Sequence, residues 1–169
     1  TVTENEFLAL PVYDGTTKVG EIRDFPYYGN DADARLSVDE RTARLFLVHY
    51  MGAITAEHPK VVALSELCRT LTDAGIRCVL YVSPVDWGDG VKALGPRFLR
   101  QVRQNIATVR SVVPARNTVF LDLSEDLRPE QFSSEPKPTV HLSQSGRLHV
   151  AGKVAAALER WSGEGKAGR

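Results

Sequence analysis

Apolar positions recur along this chain with two different periods, and the changes between them outline the fold. Val61, Leu64, Leu67, Cys68 and Leu71 follow the helical spacing of three and four. That spacing predicts an amphipathic helix from about Lys60 to Ala74, with Gly75 placed to end it. Phe98, Leu99, Val102, Ile106, Val109 and Val113 predict a second helix over Pro96 to Val113, with Arg97, Arg100, Arg103 and Arg110 on its solvated face. Leu148, Ala151, Val154, Ala155, Leu158 and Trp161 predict a C-terminal helix with these side chains turned toward the core. An earlier helix is expected from the capping box Ser37-Val38-Asp39-Glu40 to about Ala56, broken by His58-Pro59.

Two stretches lose the helical period. Ile76 to Ser83 (IRCVLYVS) is nearly continuous in apolar character and stops at Pro84. Thr118, Val119, Phe120, Leu121 and Leu123 form a second apolar, β-branched run. Runs of this length read as strands covered on both faces, as in a parallel sheet. The order helix, strand, helix, strand, helix is that of an α/β domain, and right-handed crossovers set the two strands side by side. The expected fold is therefore a parallel sheet flanked by helices in a flavodoxin-like, three-layer arrangement over residues 1–161. Two strands are too few to fill such a sheet, so it is expected to be incomplete in this chain. Residues 1–36 are irregular, with a hairpin expected around Asp14-Gly15-Thr16, and residues 162–169 read as a frayed tail.

Composition narrows the class only a little. With 43% hydrophobic and 25% charged residues, the chain reads as an ordinary globular protein. Its 21 basic and 21 acidic residues cancel, which argues against nucleic acid or an anionic membrane as the main partner. No apolar run approaches the roughly 20 residues needed to span a bilayer. The chain starts at Thr1, which reads as a leader removed or as a piece of a longer protein, so localisation stays open. Cys68 and Cys78 match no zinc spacing and read as buried free thiols, since a helix-to-strand disulfide needs an oxidising compartment and suitable geometry.

Candidate chemistry gathers at strand ends. In open α/β sheets ligands bind beyond the carboxyl edge. Val85-Asp86-Trp87-Gly88-Asp89-Gly90 is expected to project there as a loop, which makes Asp86 and Trp87 candidates for substrate binding. The alternative for each is structural: Asp86 caps a turn and Trp87 packs on a neighbour. Asn30, in Gly29-Asn30-Asp31, is either a surface turn residue or an amide donor to an oxyanion. His141 lies in a loop just before the C-terminal helix, a place where a held imidazole can act as a general base. Asp122, at the end of its strand, either orients His141 or holds the following loop.

The run Thr139-Val140-His141-Leu142-Ser143-Gln144-Ser145-Gly146-Arg147-Leu148, followed by Val150-Ala151 and a helix, resembles the C-terminal histidine block of SGNH (GDSL-type) esterases and acyltransferases. The strand Leu80-Tyr81-Val82-Ser83-Pro84-Val85 also looks like that family's late strand ending in a proline. The resemblance covers about Val61 to Leu158 and includes the polysaccharide O-acetyltransferase-like branch. It implies ester hydrolysis or acyl transfer, with His141 as base, acyl or acetylated carbohydrate esters as substrates, and no metal or organic cofactor. Two departures stand out. Pro138 occupies the position of the family's triad aspartate, leaving Asp122 or Glu135 as the acids at hand, and no Gly-Asp-Ser nucleophile block is present. The missing strands and the serine are expected from an N-terminal half outside this chain or from a second chain. The competing expectation is an SGNH-like domain without catalysis that binds carbohydrate or a partner protein through Trp87 and the Tyr27-Tyr28 segment.

Overall fold

The computed structural model describes residue 37, residues 42–43, 46–47, 49–133 and 141–164, the last three in backbone only. The expected hairpin and Asn30, the capping box beyond Ser37, the Tyr27-Tyr28 segment, and Glu135 and Pro138 all lie outside the described residues. The described elements are α1 (Pro59–Asp73), β1 (Cys78–Val82), α2 (Trp87–Leu94), α3 (Pro96–Ser111), β2 (Thr118–Asp122) and α4 (Gln144–Glu164). A single 3-10 turn, Pro129–Gln131, lies between β2 and α4. Ahead of α1, the described residues among 42–50 are helical.

The two strands pair in parallel, Cys78 opposite Thr118 and Val82 opposite Asp122, which makes the chain an α/β domain. Side chains alternate across the strands, so Cys78, Leu80, Thr118 and Phe120 share one face while Val79, Tyr81, Val119 and Leu121 share the other. Arg110 of α3 lies over the Phe120 ring at 5.8 Å, which puts α3 on the first face. Leu121 packs with Val154 of α4 around Leu123, Leu127 and Val150, which puts α4 on the second. The α1–β1 turn closes as its sequence requires. Gly75 takes φ 72°, its N–H donates to the Thr72 carbonyl, and Ile76 N–H donates to the Leu71 carbonyl at 2.8 Å.

The larger core sits beyond the carboxyl ends of the strands. Phe46, Leu47, Met51, Val85, Leu94, Phe98 and Val102 are buried together, with Tyr50 and Trp87 packed against them. Its presence there depends on α2, where the sequence predicts a loop. Gly88 and Gly90 lower helix propensity, but the Asp86 carboxylate caps the helix by accepting from Asp89 N–H at 3.1 Å. Gly90 is also where the Phe98 ring lies against the helix backbone, and a Cβ there would overlap that ring. The helix before α1 likewise stops sooner than Ala56, its last helical residue being Tyr50. Buried Asn105 is the reason: its amide donates to the Tyr50 and Gly52 carbonyls and its oxygen accepts from Ile54 N–H at 3.0 Å, drawing the chain out of the helix.

The C-terminal helix departs from its predicted orientation. Leu148 is 66% exposed and Leu158 49%, and Ala151 and Ala155 also face out. The buried line is Gly146, Val150 and Ala157, with Val154 and Trp161 half-buried. Gly146 sets this rotation by lying directly against the Gln131 carbonyl and the Leu127 side chain. Farther along, Arg77 stacks over the Trp161 ring at 5.3 Å and donates to its carbonyl at 2.7 Å. The helix also continues to Glu164, into the segment expected to fray. Gly146→Ala should force the helix off this seat and cost about 1–3 kcal/mol, measurable by urea unfolding.

Candidate functional site

Both loops that leave the carboxyl ends of the strands are held by Ser124. Its carbonyl accepts from Val85 N–H at 2.9 Å and from the Trp87 indole N–H at 2.5 Å. Its hydroxyl donates to Asp122 Oδ1 at 2.6 Å, and its own N–H donates to the same oxygen at 3.1 Å. Asp122 therefore holds the loop that follows β2. No hydrogen bond or ion pair joins Asp122 to His141. Trp87 is half-buried against the core, its ring 5.7 Å from that of Phe98, and Arg103 lies over its ring at 5.8 Å. Arg103 in turn makes a two-pronged ion pair with Glu125, both bonds 2.8 Å, which holds the Glu125 carboxyl below its usual range. That pair is well exposed and contributes little to stability.

Asp86 caps α2. Burial raises its carboxyl above the usual aspartate range, opposed by the Asp89 and Gly88 backbone N–H groups. Burial, and then the charge of Asp86, raise the Tyr50 phenol in turn. A carboxyl whose folded-state pKa exceeds its unfolded one binds its proton more tightly when folded. The cost of ionising it is absent at low pH and complete above the folded pKa, so stability falls as pH rises through the acid range. Asp86→Asn keeps a capping acceptor and should flatten that fall, as read from urea midpoints measured across acid pH.

His141 stands where the chain re-enters the fold before α4. Its carbonyl accepts from Ser133 N–H at 2.7 Å. Next to it, Phe132 and Leu142 form an antiparallel bridge, and Ser143 donates to the Gln131 carbonyl through both N–H and hydroxyl at 2.9 Å. Leu142 packs into the smaller core. The backbone is thus held at the His141 carbonyl and at the two residues that follow, while His141 itself is exposed. Among the described residues, no serine hydroxyl or carboxylate is bonded to its ring.

The acid–histidine contact that the structure does make is a different one. Asp126 Oδ2 lies 3.0 Å from the Lys153 ammonium and 3.6 Å from His149 Nε2, linking the loop after β2 to α4. The i, i+4 spacing of His149 and Lys153 signals a shared helix face, but nothing in the sequence pairs that face with Asp126. Tyr50 was missed for a similar reason, since only the folded chain brings it within electrostatic reach of Asp86. The described residues contain no group of three or more His, Cys, Asp or Glu side chains arranged to hold a metal ion. No described helix is long and apolar enough to cross a membrane. No family model, curated protein or solved structure matches this chain.

Proposed function

We propose that this chain carries the general base of an SGNH-like ester hydrolase or O-acyltransferase, His141, and that its serine nucleophile comes from outside the described residues. The observation that carries this reading is the backbone held at the His141 carbonyl and at the two residues that follow, which presents an exposed histidine at the entry to α4. A base needs a fixed origin and an accessible position, and this clamp supplies both. The resemblance of the His141–Gly146 run to the family's histidine block supports the same assignment.

In the proposed reaction, His141 takes the proton of the serine hydroxyl as the oxygen attacks the ester carbonyl. The protonated ring then gives that proton to the departing alcohol, and a second cycle with water or an acceptor hydroxyl releases the acyl group. Asp122 is engaged by Ser124, so the base works as part of a Ser-His dyad. Acyl esters, including O-acetylated carbohydrate, are the substrate class.

The closed Asp122–Ser124 contact also favours a second reading, a domain that keeps the fold, has lost the chemistry, and binds carbohydrate or a partner protein. Hydrolysis of a short-chain acyl ester by the intact gene product separates the two. Turnover that disappears in His141→Ala supports the esterase, and absence of turnover in the wild type supports the binding domain.

A further inference from the structure

Among the described residues β2 pairs only with β1, so its other edge is open. The ladder begins with Cys78 N–H donating to the Asn117 carbonyl at 2.8 Å. Bonded residues alternate along a parallel strand, so Asn117, Val119 and Leu121 turn their main-chain groups to β1. Thr118 and Phe120 turn theirs to the open edge. That edge borders a groove of about 390 Å³ beside the last turns of α4. Val119, Leu121 and Ala157 form its apolar wall, and Arg160 and Trp161 complete it. Thr118 lines the groove too, yet its side chain belongs to the opposite face of the sheet and its hydroxyl is wholly buried. What Thr118 offers the groove is therefore main chain.

Two exposed guanidinium groups lie beside Trp161. Arg77 stacks on its ring, and Arg160 donates back to the Ala156 carbonyl at 3.2 Å. Neither pairs with a carboxylate among the described residues, so this end of the groove is positive. Gln144, where α4 begins next to His141, is about 24 Å from Arg160 along the helix axis, so the groove is separate from the site of the base.

We propose that the groove receives an extended acidic peptide of a partner protein as a third strand on the open edge of β2. The peptide main chain bonds to Thr118 and Phe120. One apolar side chain packs on Leu121 and Ala157, and an acidic side chain two residues away reaches Arg160. Side chains two apart share a face, and α4 covers the face on which both lie. An unpaired strand edge is a template for another extended chain, and in this mode of recognition the main chain supplies affinity while alternate side chains supply specificity. A small carboxylate satisfies the cation and leaves the strand edge unpaired; the peptide matches both.

The test is selection of phage-displayed octapeptides on the full chain, followed by titration of the selected peptide into isotope-labelled protein. The selected sequences should carry an apolar and an acidic residue two positions apart, and amide exchange at Thr118 and Phe120 should slow on binding. Arg160→Glu, a change at an exposed side chain, should weaken the peptide about tenfold or more. A selection without that spacing, unaltered exchange at the two amides, or equal binding to the variant overturns the proposal. Exchange that slows with protein concentration alone would identify a second copy as the occupant, and hexanoate binding where no peptide binds would identify a small carboxylate. Either result also overturns it. The wild-type exchange measurement decides the matter even if the variant folds poorly.

Discussion

Phe98→Ala is expected to cost about 3–5 kcal/mol, the range for removing a fully buried aromatic ring. Phe98 is 0% exposed, and three rings meet it edge-on: Phe46 at 5.3 Å, Tyr50 at 5.6 Å and Trp87 at 5.7 Å. Such contacts add to the area term. The cavity has little chance of closing, because Gly90 on the far side carries no side chain to fill it. Domains of this size are stable by only about 5–15 kcal/mol, so the variant should unfold at a much lower urea concentration. Trp87 connects this ring cluster to Ser124, so the carboxyl edge of the sheet should loosen with it. Phe98→Leu, which keeps most of the volume, should lose clearly less.

His141→Ala is expected to do the opposite, leaving the fold intact and removing activity. The residue is exposed and its ring makes no hydrogen bond or ion pair among the described residues, so stability should change by no more than about 0.5 kcal/mol. A positioned general base contributes about 10²–10⁴-fold to the rate, and loss on that scale should appear in kcat for ester hydrolysis by the intact gene product. Asp122→Ala should show the reverse balance. It frees the buried Ser124 hydroxyl from its acceptor, at a stability cost of about 1–3 kcal/mol, with a smaller effect on turnover than His141→Ala.

The strands were legible because each is short, apolar and flanked by turn residues, and their parallel pairing follows from the intervening helices. α1, α3 and α4 were legible through their period. The rotation of α4 was not, because its sequence offers two apolar lines. Leu148 and Leu158 carry more hydrophobic surface than Gly146 and Ala157, yet the small residues face inward. Close approach to the Gln131 carbonyl selects glycine there, a constraint that exists only in three dimensions. Helix α2 was hidden for a related reason, since Gly88 and Gly90 read as loop residues until Phe98 is seen to need Gly90.

At the candidate site, the entry of His141 just ahead of a helix was readable from the pattern. The partners of the acids were not, because they come from distant parts of the chain. Asp86 caps α2, and Trp87 packs on Phe98 and donates to the Ser124 carbonyl. Asp126 reaches His149 and Lys153 across the β2–α4 connection, which no local spacing reveals. Asn105 gave no signal in the sequence beyond being a polar residue on a helix, and it ends the helix at Tyr50 by bonding across more than fifty residues.

The role of His141 is tested most directly by the mass of the intact gene product after treatment with a fluorophosphonate, which reacts only with a serine made nucleophilic by a neighbouring base. One phosphonylated serine is predicted in the wild type, and its loss in His141→Ala. An unlabelled wild type, or equal labelling of the variant, would show that the imidazole at 141 activates nothing.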